Sequence, residues 1–205
     1  MARESRPIVK LSRREGYALH PKAHKALVKR SGPPGQQGQY SGRKKDSQYS
    51  LQLREKQKVK RLYGLLERQF AKLMDEASRT RGQSGATLLV FLELRIDNII
   101  YRAGFAPSRQ AARQLATHGH FMLNAKRVDI PSIRLKLGDK LVLRDVSKKN
   151  EYFKQIDELS PAPGNIPGWL KVNRKSFQIE VIGTPSREDA EPDIKEQLIV
   201  EYYSR

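Results

Sequence analysis

The chain has 205 residues, with 40 Lys and Arg against 22 Asp and Glu, a formal charge of +18 and a pI near 10.2. That balance suits a polyanionic partner, nucleic acid ahead of an anionic membrane surface. The absence of cysteine excludes disulfides, thiolate metal sites and a Cys nucleophile, and the first 30 residues contain no apolar run long enough for a signal peptide or a membrane span.

Residues 1–45 hold twelve Lys or Arg, including Arg3, Arg13, Arg14, Lys44 and Lys45, against only Glu4 and Glu15. The lower half, SGPPGQQGQYSGRKK, has the Gly, Pro and Gln content of an irregular loop. It reads as a basic arm that orders against RNA phosphates, or as a merely solubilising tail. GPPGQQG lacks the Lys-Ser/Thr ending and the preceding strand of a phosphate-cradling loop. His20 and His24 sit four apart, but two histidines without further ligands make a poor metal site, and no metal is expected.

From Ser50 to Ala77 the spacing predicts a helix, with Val59, Leu62, Leu66, Phe70, Leu73 and Ala77 on one stripe and Gly64 weakening it slightly. Most of its charges need only be solvated. Arg54, Lys56, Lys58, Lys60 and Arg61 are denser than solubility requires, so phosphate contact is expected for some of them. The pattern breaks over residues 79–85, and Thr87 to Leu92 leads on in apolar character.

Leu92, Ile96, Ile99, Ile100 and Ala103 form the next helical stripe, with Arg95 and Arg102 on another side and Gly104 as the stop. Ser108 is a good N-cap for a second helix that buries Ala112, Leu115 and Ala116 while Arg109, Arg113 and Thr117 project together. Gly119 ends it. Phe121 to Leu123, the turn Asn124-Ala125 and a return strand through Val128 to Ile130 alternate like a hairpin, with a second turn at Gly138-Asp139 before Lys140 to Arg144. Residues 93–150 thus read as one small module, two helices plus a hairpin. Arg102, Arg109, Arg113, Lys126 and Arg127 are its candidate phosphate contacts, and Ser108, Gln114, His118, His120 and Asn124 its candidates for other RNA groups, among them bases and 2′-hydroxyls.

After the module the balance reverses, with seven Lys or Arg and ten Asp or Glu over residues 151–205. Such a segment is poor ground for phosphate, whereas Glu188, Asp189, Glu196 and Glu201, with Arg187, suit a basic protein partner. Phe177, Ile179 and Val181 alternate as a strand ahead of a Gly183–Pro185 turn. Asp193 with Glu196 fits a capping box for a short terminal helix, although Leu198, Val200 and Tyr202 equally alternate. Trp169 is expected to anchor this tail on the first helical domain.

SRQAARQLATHGHFMLNAKRVDIPS resembles the RNA-binding module shared by bacterial small-subunit ribosomal protein four, certain pseudouridine synthases, a tyrosyl-tRNA synthetase tail and small heat-shock RNA binders. The flanks LQLREKQKVKRLYGLLERQF and PSREDAEPDIKEQLIVEYYSR are similar to the ribosomal family, and the three blocks cover nearly the whole chain in the right order. A free-standing stress factor would explain the module but not the flanks. The resemblance implies an α+β fold: a mostly helical N-terminal domain, residues 46–92 plus 151–205, completed by the tail and interrupted by the module. It implies no catalysis, no cofactor and no homo-oligomer. The implied partners are the 5′ domain of small-subunit ribosomal RNA, small-subunit protein five and messenger RNA where it enters the subunit, in the cytoplasm or an organelle. Arg95-Ile96-Asp97 is similar to the catalytic Arg-x-Asp of pseudouridine synthases, but the surrounding pattern is missing and Asp97 reads as a helix charge, paired with Tyr101, Arg102 or a nearby Lys.

Two departures from the family stand out. Many of its members hold the N-terminal segment around a four-cysteine zinc site, and Val9 and Ser12 at the matching positions supply no thiolate. At the hairpin the family usually has Asn-Gly, and Ala125 in that place predicts a different turn or mild strain.

Overall fold

The computed structural model describes residues 4, 6–30, 32–35 and 47–204. In chain order the elements are α1 (Ile8–Glu15), α2 (Ala23–Lys29), α3 (Gln48–Leu62), α4 (Glu67–Arg79), α5 (Ser84–Glu93), α6 (Ile96–Arg102) and α7 (Arg109–Thr117). There follow β1 (Phe121–Leu123), β2 (Lys126–Val128), β3 (Lys140–Leu143), the single turns α8 (Asp145–Lys148), α9 (Glu151–Lys154) and α10 (Ile156–Leu159), then β4 (Leu170–Asn173), β5 (Gln178–Val181) and α11 (Glu196–Tyr203). The class is α+β as expected, and the chain divides into two compact units, residues 1–88 with 191–205, and residues 89–190.

In the first unit α11 packs along α3, and α1 packs on α2 and α3. Val59, Leu62, Leu65, Phe70, Met74, Ala77 and Ile199 are buried there. The expected single helix over 50–77 is two helices, because Gly64 takes a left-handed φ of 67° and the chain turns between Leu62 and Glu67. The expected capping box is absent. Lys195, not Asp193, is the N-cap of α11, and its N–H donates instead to Glu55 Oε1 of α3 at 2.9 Å, a cap supplied from a distant element. The terminal segment is helix, and the alternating reading fails. In α1 the buried Ser12 hydroxyl donates to the Ile8 carbonyl at 2.9 Å and accepts from Leu19 N–H at 3.3 Å. This closes the loop by ordinary hydrogen bonds, and a hydroxyl so engaged beside Val9 does not fit a zinc site.

The second unit is built on an antiparallel five-stranded sheet of order β2-β1-β3-β5-β4. Phe121 lies opposite Val128 on one side and Leu143 on the other, and Leu141 lies opposite Ile179. The core holds Ile96, Ile99 and Ile100 from α6, Ala112 and Ala116 from α7, and Phe105, Phe121, Leu141, Leu143, Phe153, Trp169 and Ile179. Two expectations change. The stripe from Leu92 to Ala103 is not one helix: Arg95 is extended and bridges Arg134, which separates α5 from α6. Residues 151–190 belong with the module rather than with the N-terminal helices, since β5 pairs with β3 and Trp169 packs in the module's core. Only residues 191–205 return to the first unit.

The hairpin keeps its primed turn, with φ of 47° at Asn124 and 66° at Ala125. A Cβ in that conformation costs roughly 1–2 kcal/mol, which glycine avoids at some loss of chain entropy. Ala125→Gly is therefore expected to stabilise the protein by about 0.5–1 kcal/mol, read as a higher urea midpoint at unchanged m-value. A lower midpoint would show that the turn is not strained by alanine.

Candidate nucleic-acid interface

The cations that the sequence offers for phosphate fall into two groups, those held by carboxylates of their own unit and those left at the surface. The cluster on α3 belongs to the first group. Lys56 and Lys60 each lie 2.7 Å from the Glu67 carboxylate, with side chains 3% and 8% exposed. Lys56 also sits over the Tyr202 ring at 4.6 Å. Lys58 pairs with Glu55 at 2.8 Å and donates to the Asp193 carbonyl at 2.7 Å. Arg54 and Arg61 converge on Glu15 of α1, whose side chain is wholly buried. Burial pushes the Glu15 carboxyl up, against the pull of Arg54 and Arg61. Dense positive charge on this helix is thus the counterpart of inward carboxylates, and Lys56, Lys60 and Arg61 are interior residues rather than a phosphate-facing row.

Glu67 supplies a pH test. Burial opposes its ionisation, but hydrogen bonds from Lys56, Lys60 and Tyr203 outweigh it and hold the carboxyl at about 2, below its ordinary value of 4.5. A depressed native pKa contributes stability that is present above pH 4.5 and is lost as pH falls toward 2. Glu67 is half exposed, so solvent screens the effect. Glu67→Gln should lower the melting temperature at neutral pH and flatten its decline between those two pH values. An unchanged acid profile would contradict the assignment.

Arg13 of α1 donates to the carbonyls of Gly32 at 3.0 Å and Pro33 at 3.2 Å, while Arg14 is exposed. His20 accepts from Lys22 N–H, and His24 is exposed on α2. Arg3, Lys44 and Lys45 lie outside the described residues.

In the module, Ser108 caps α7 by accepting from Ala111 N–H at 3.2 Å. Arg113 reaches Asp97 at 3.0 Å, and Arg95 lies 2.7 Å from the same carboxylate. Asp97 is therefore held by two arginines, not by Tyr101 or Arg102. Arg102 pairs with the buried Glu93 at 2.9 Å and donates to the Asp189 carbonyl. Arg109 donates to Asn98 Oδ1 at 3.0 Å and stacks on the Tyr101 ring. Asn98 in turn donates to Glu93 at 2.7 Å. The three arginines expected at the surface are thus drawn back, Arg109 and Arg113 of α7 onto Asn98 and Asp97 of α6, and Arg102 of α6 onto Glu93 of α5.

What remains outward lies at the hairpin end. Lys126 and Arg127 are exposed, and Arg127 covers Gly119, where an added Cβ would meet its Nε at 2.7 Å. Only glycine lets the guanidinium lie there, beside exposed His118 at the end of α7. Arg144, which the sequence reading missed, donates to the Gly119 carbonyl at 3.2 Å. His120 is turned inward, with Nδ1 3.0 Å from Ser147 Oγ and its ring against Phe153. Burial, with His118 and Arg144 nearby, pushes its pKa down. Asn124 is committed to the turn, donating to Asp139 at 2.8 Å and accepting from Lys140 N–H at 3.0 Å. Gln114 is exposed.

The acidic residues offered for a protein partner divide similarly. Asp189 accepts from the Ser186 N–H and hydroxyl, Glu201 accepts from Gln52 at 2.8 Å, and Glu196 packs over Gly85. Glu188 is exposed and Arg187 half-buried. Among the described residues no group of three or more His, Asp or Glu is placed to hold a metal, and no helix is long and apolar enough to cross a membrane.

A rigid helix pair and hairpin presenting exposed cations, with its one suggestive carboxylate held by two arginines, is built as a nucleic-acid-binding module rather than as a catalytic centre. Comparison with known proteins agrees. The S4 domain family matches residues 94–141, and the Ribosomal protein S4/S9 N-terminal domain matches residues 3–93. Over the full length of both chains, the sequence is 47% identical to small ribosomal subunit protein uS4 of Roseiflexus castenholzii, 46% to that of Clostridioides difficile and 48% to that of Trichlorobacter lovleyi. The chain belongs to the uS4 family of small-subunit ribosomal proteins, which are structural proteins and not enzymes.

Proposed function

We propose that the chain is a structural constituent of the small ribosomal subunit, binding the ribosomal RNA directly at a junction of the 5′ domain and nucleating early assembly. Full-length similarity to uS4 proteins carries this reading. The open, basic hairpin end supports it, because Lys126 and Arg127 stand on a sheet whose register is fixed on both sides of β1. A folded junction is recognised by shape and phosphate position, which needs a support of this rigidity more than it needs stacking aromatics. The acidic residues toward the C-terminus, with Glu188 the most open of those singled out, suit a contact with small-subunit protein five that bears on translational accuracy. Messenger RNA where it enters the subunit is a further partner, and the cytoplasm is the proposed location.

An equilibrium titration against a 5′-domain fragment of small-subunit ribosomal RNA and an equally long large-subunit fragment, at several salt concentrations, tests this. Binding to the first should be tighter and stay selective at high salt, with a log-log slope of magnitude roughly 0.7–0.9 per phosphate contact. Equal affinities that vanish together in salt would contradict it.

A further inference from the structure

With about 100° of rotation per residue, α7 turns one arc of roughly 100° outward that carries Thr117, Gln110, Gln114 and His118 in angular order. All four are exposed. Arg113 and Arg109 follow at the edge of that arc and fold back onto Asp97 and Asn98. Ala112 and Ala116 fill the inner side. The middle of the outward strip is therefore uncharged, although the helix sequence RQAARQLAT contains two arginines. Each glutamine amide offers donors and an acceptor together, and the Thr117 hydroxyl, which donates to the Arg113 carbonyl at 2.8 Å, keeps its acceptor lone pair for a partner such as a 2′-hydroxyl. That chemistry matches 2′-hydroxyls and base edges in the shallow groove of A-form RNA, not phosphate oxygens, which favour cations.

Resting on the RNA-binding reading above, we infer that the module divides its recognition: Gln110, Gln114 and Thr117 contact RNA 2′-hydroxyls and base edges through neutral hydrogen bonds, and Lys126 with Arg127 supplies the ionic, salt-dependent part. A neutral hydrogen bond releases no counterion, so it adds affinity without adding to the salt slope. Selectivity that survives at high salt then comes from α7 and not from the hairpin.

The test compares three full-length proteins, the wild type, Gln110→Ala/Gln114→Ala and Lys126→Ala/Arg127→Ala, titrated with the 5′-domain RNA fragment across salt. Alanine is the best helix former and both glutamines are exposed, so the first variant keeps its fold, which its circular dichroism checks. It should bind about three- to tenfold more weakly per glutamine, equally at every salt concentration. The second should lower the magnitude of the slope by about 0.7–0.9 for each cation removed. A glutamine variant that binds like wild type, or that changes the slope, overturns the division. If wild-type protein shows no preference for the 5′-domain fragment, RNA recognition itself fails, and that result is distinct from selective binding that ignores Gln110 and Gln114.

Discussion

Replacing Asp97 with alanine is expected to lower the unfolding free energy of the protein by about 3–5 kcal/mol, the usual consequence of removing one partner from a buried ion pair. Asp97 is 4% exposed and Arg95 is 3% exposed, so the variant leaves a guanidinium inside the module without its carboxylate. Arg113 loses its contact with this carboxylate at the same time. Urea unfolding would read the change, and Arg95→Met added to Asp97→Ala should recover part of it by removing the stranded charge. A loss below about 1 kcal/mol would mean that water or another group takes the carboxylate's place. The same geometry changes the meaning of a charge reversal at Arg113. A carboxylate there would face Asp97, so weaker RNA binding by such a variant reports damaged folding as well as a missing contact.

Phe153→Ala should be comparably severe, about 3–5 kcal/mol for an aromatic removed from a filled core. Its ring is 3% exposed and lies 5.2 Å from Tyr152, 6.0 Å from Phe177 and 6.4 Å from Phe121. Phe153 and Phe177 come from the segment after the helix-and-hairpin module, and β5 supplies the outer partner of β3. A fragment of residues 93–150 should therefore fail to fold alone, while 89–190 should show a cooperative unfolding transition. A stable, cooperative 93–150 fragment would contradict the assignment of the later strands to this unit.

Local signals in the sequence placed α7 and its N-cap Ser108, the stops at Gly104 and Gly119, the hairpin and the strand before Gly183. Each depends on residues within a few positions of one another. Gly64 hides its role, because a glycine inside an apolar stripe looks like a small helix penalty until its φ is known to be positive. The break at Arg95 gives no local sign at all, since it follows from a bridge to Arg134. The candidate site fared less evenly for the same reason. Exposure of Lys126, Arg127, Gln114 and His118 follows from a short hairpin and one helix face. The partners of Arg54, Lys56, Lys60, Arg61, Arg102 and Arg113 are carboxylates 7 to 46 positions away, and no count of charge density reveals them. Gln110 was legible from the helical angle alone, but the neighbouring arginines drew the reading away from it.

The central claim is that RNA meets the hairpin end of the module while the lysines of α3 are internal. Lysine acetylation of the folded protein, with and without the 5′-domain RNA fragment and read residue by residue, tests it most directly. Lys126 should react readily in the free protein and be protected by RNA, whereas Lys56 and Lys60 should react slowly in both states. Ready modification of Lys56 and Lys60 that RNA suppresses, with Lys126 indifferent to RNA, would contradict the account and restore α3 as the phosphate-facing element.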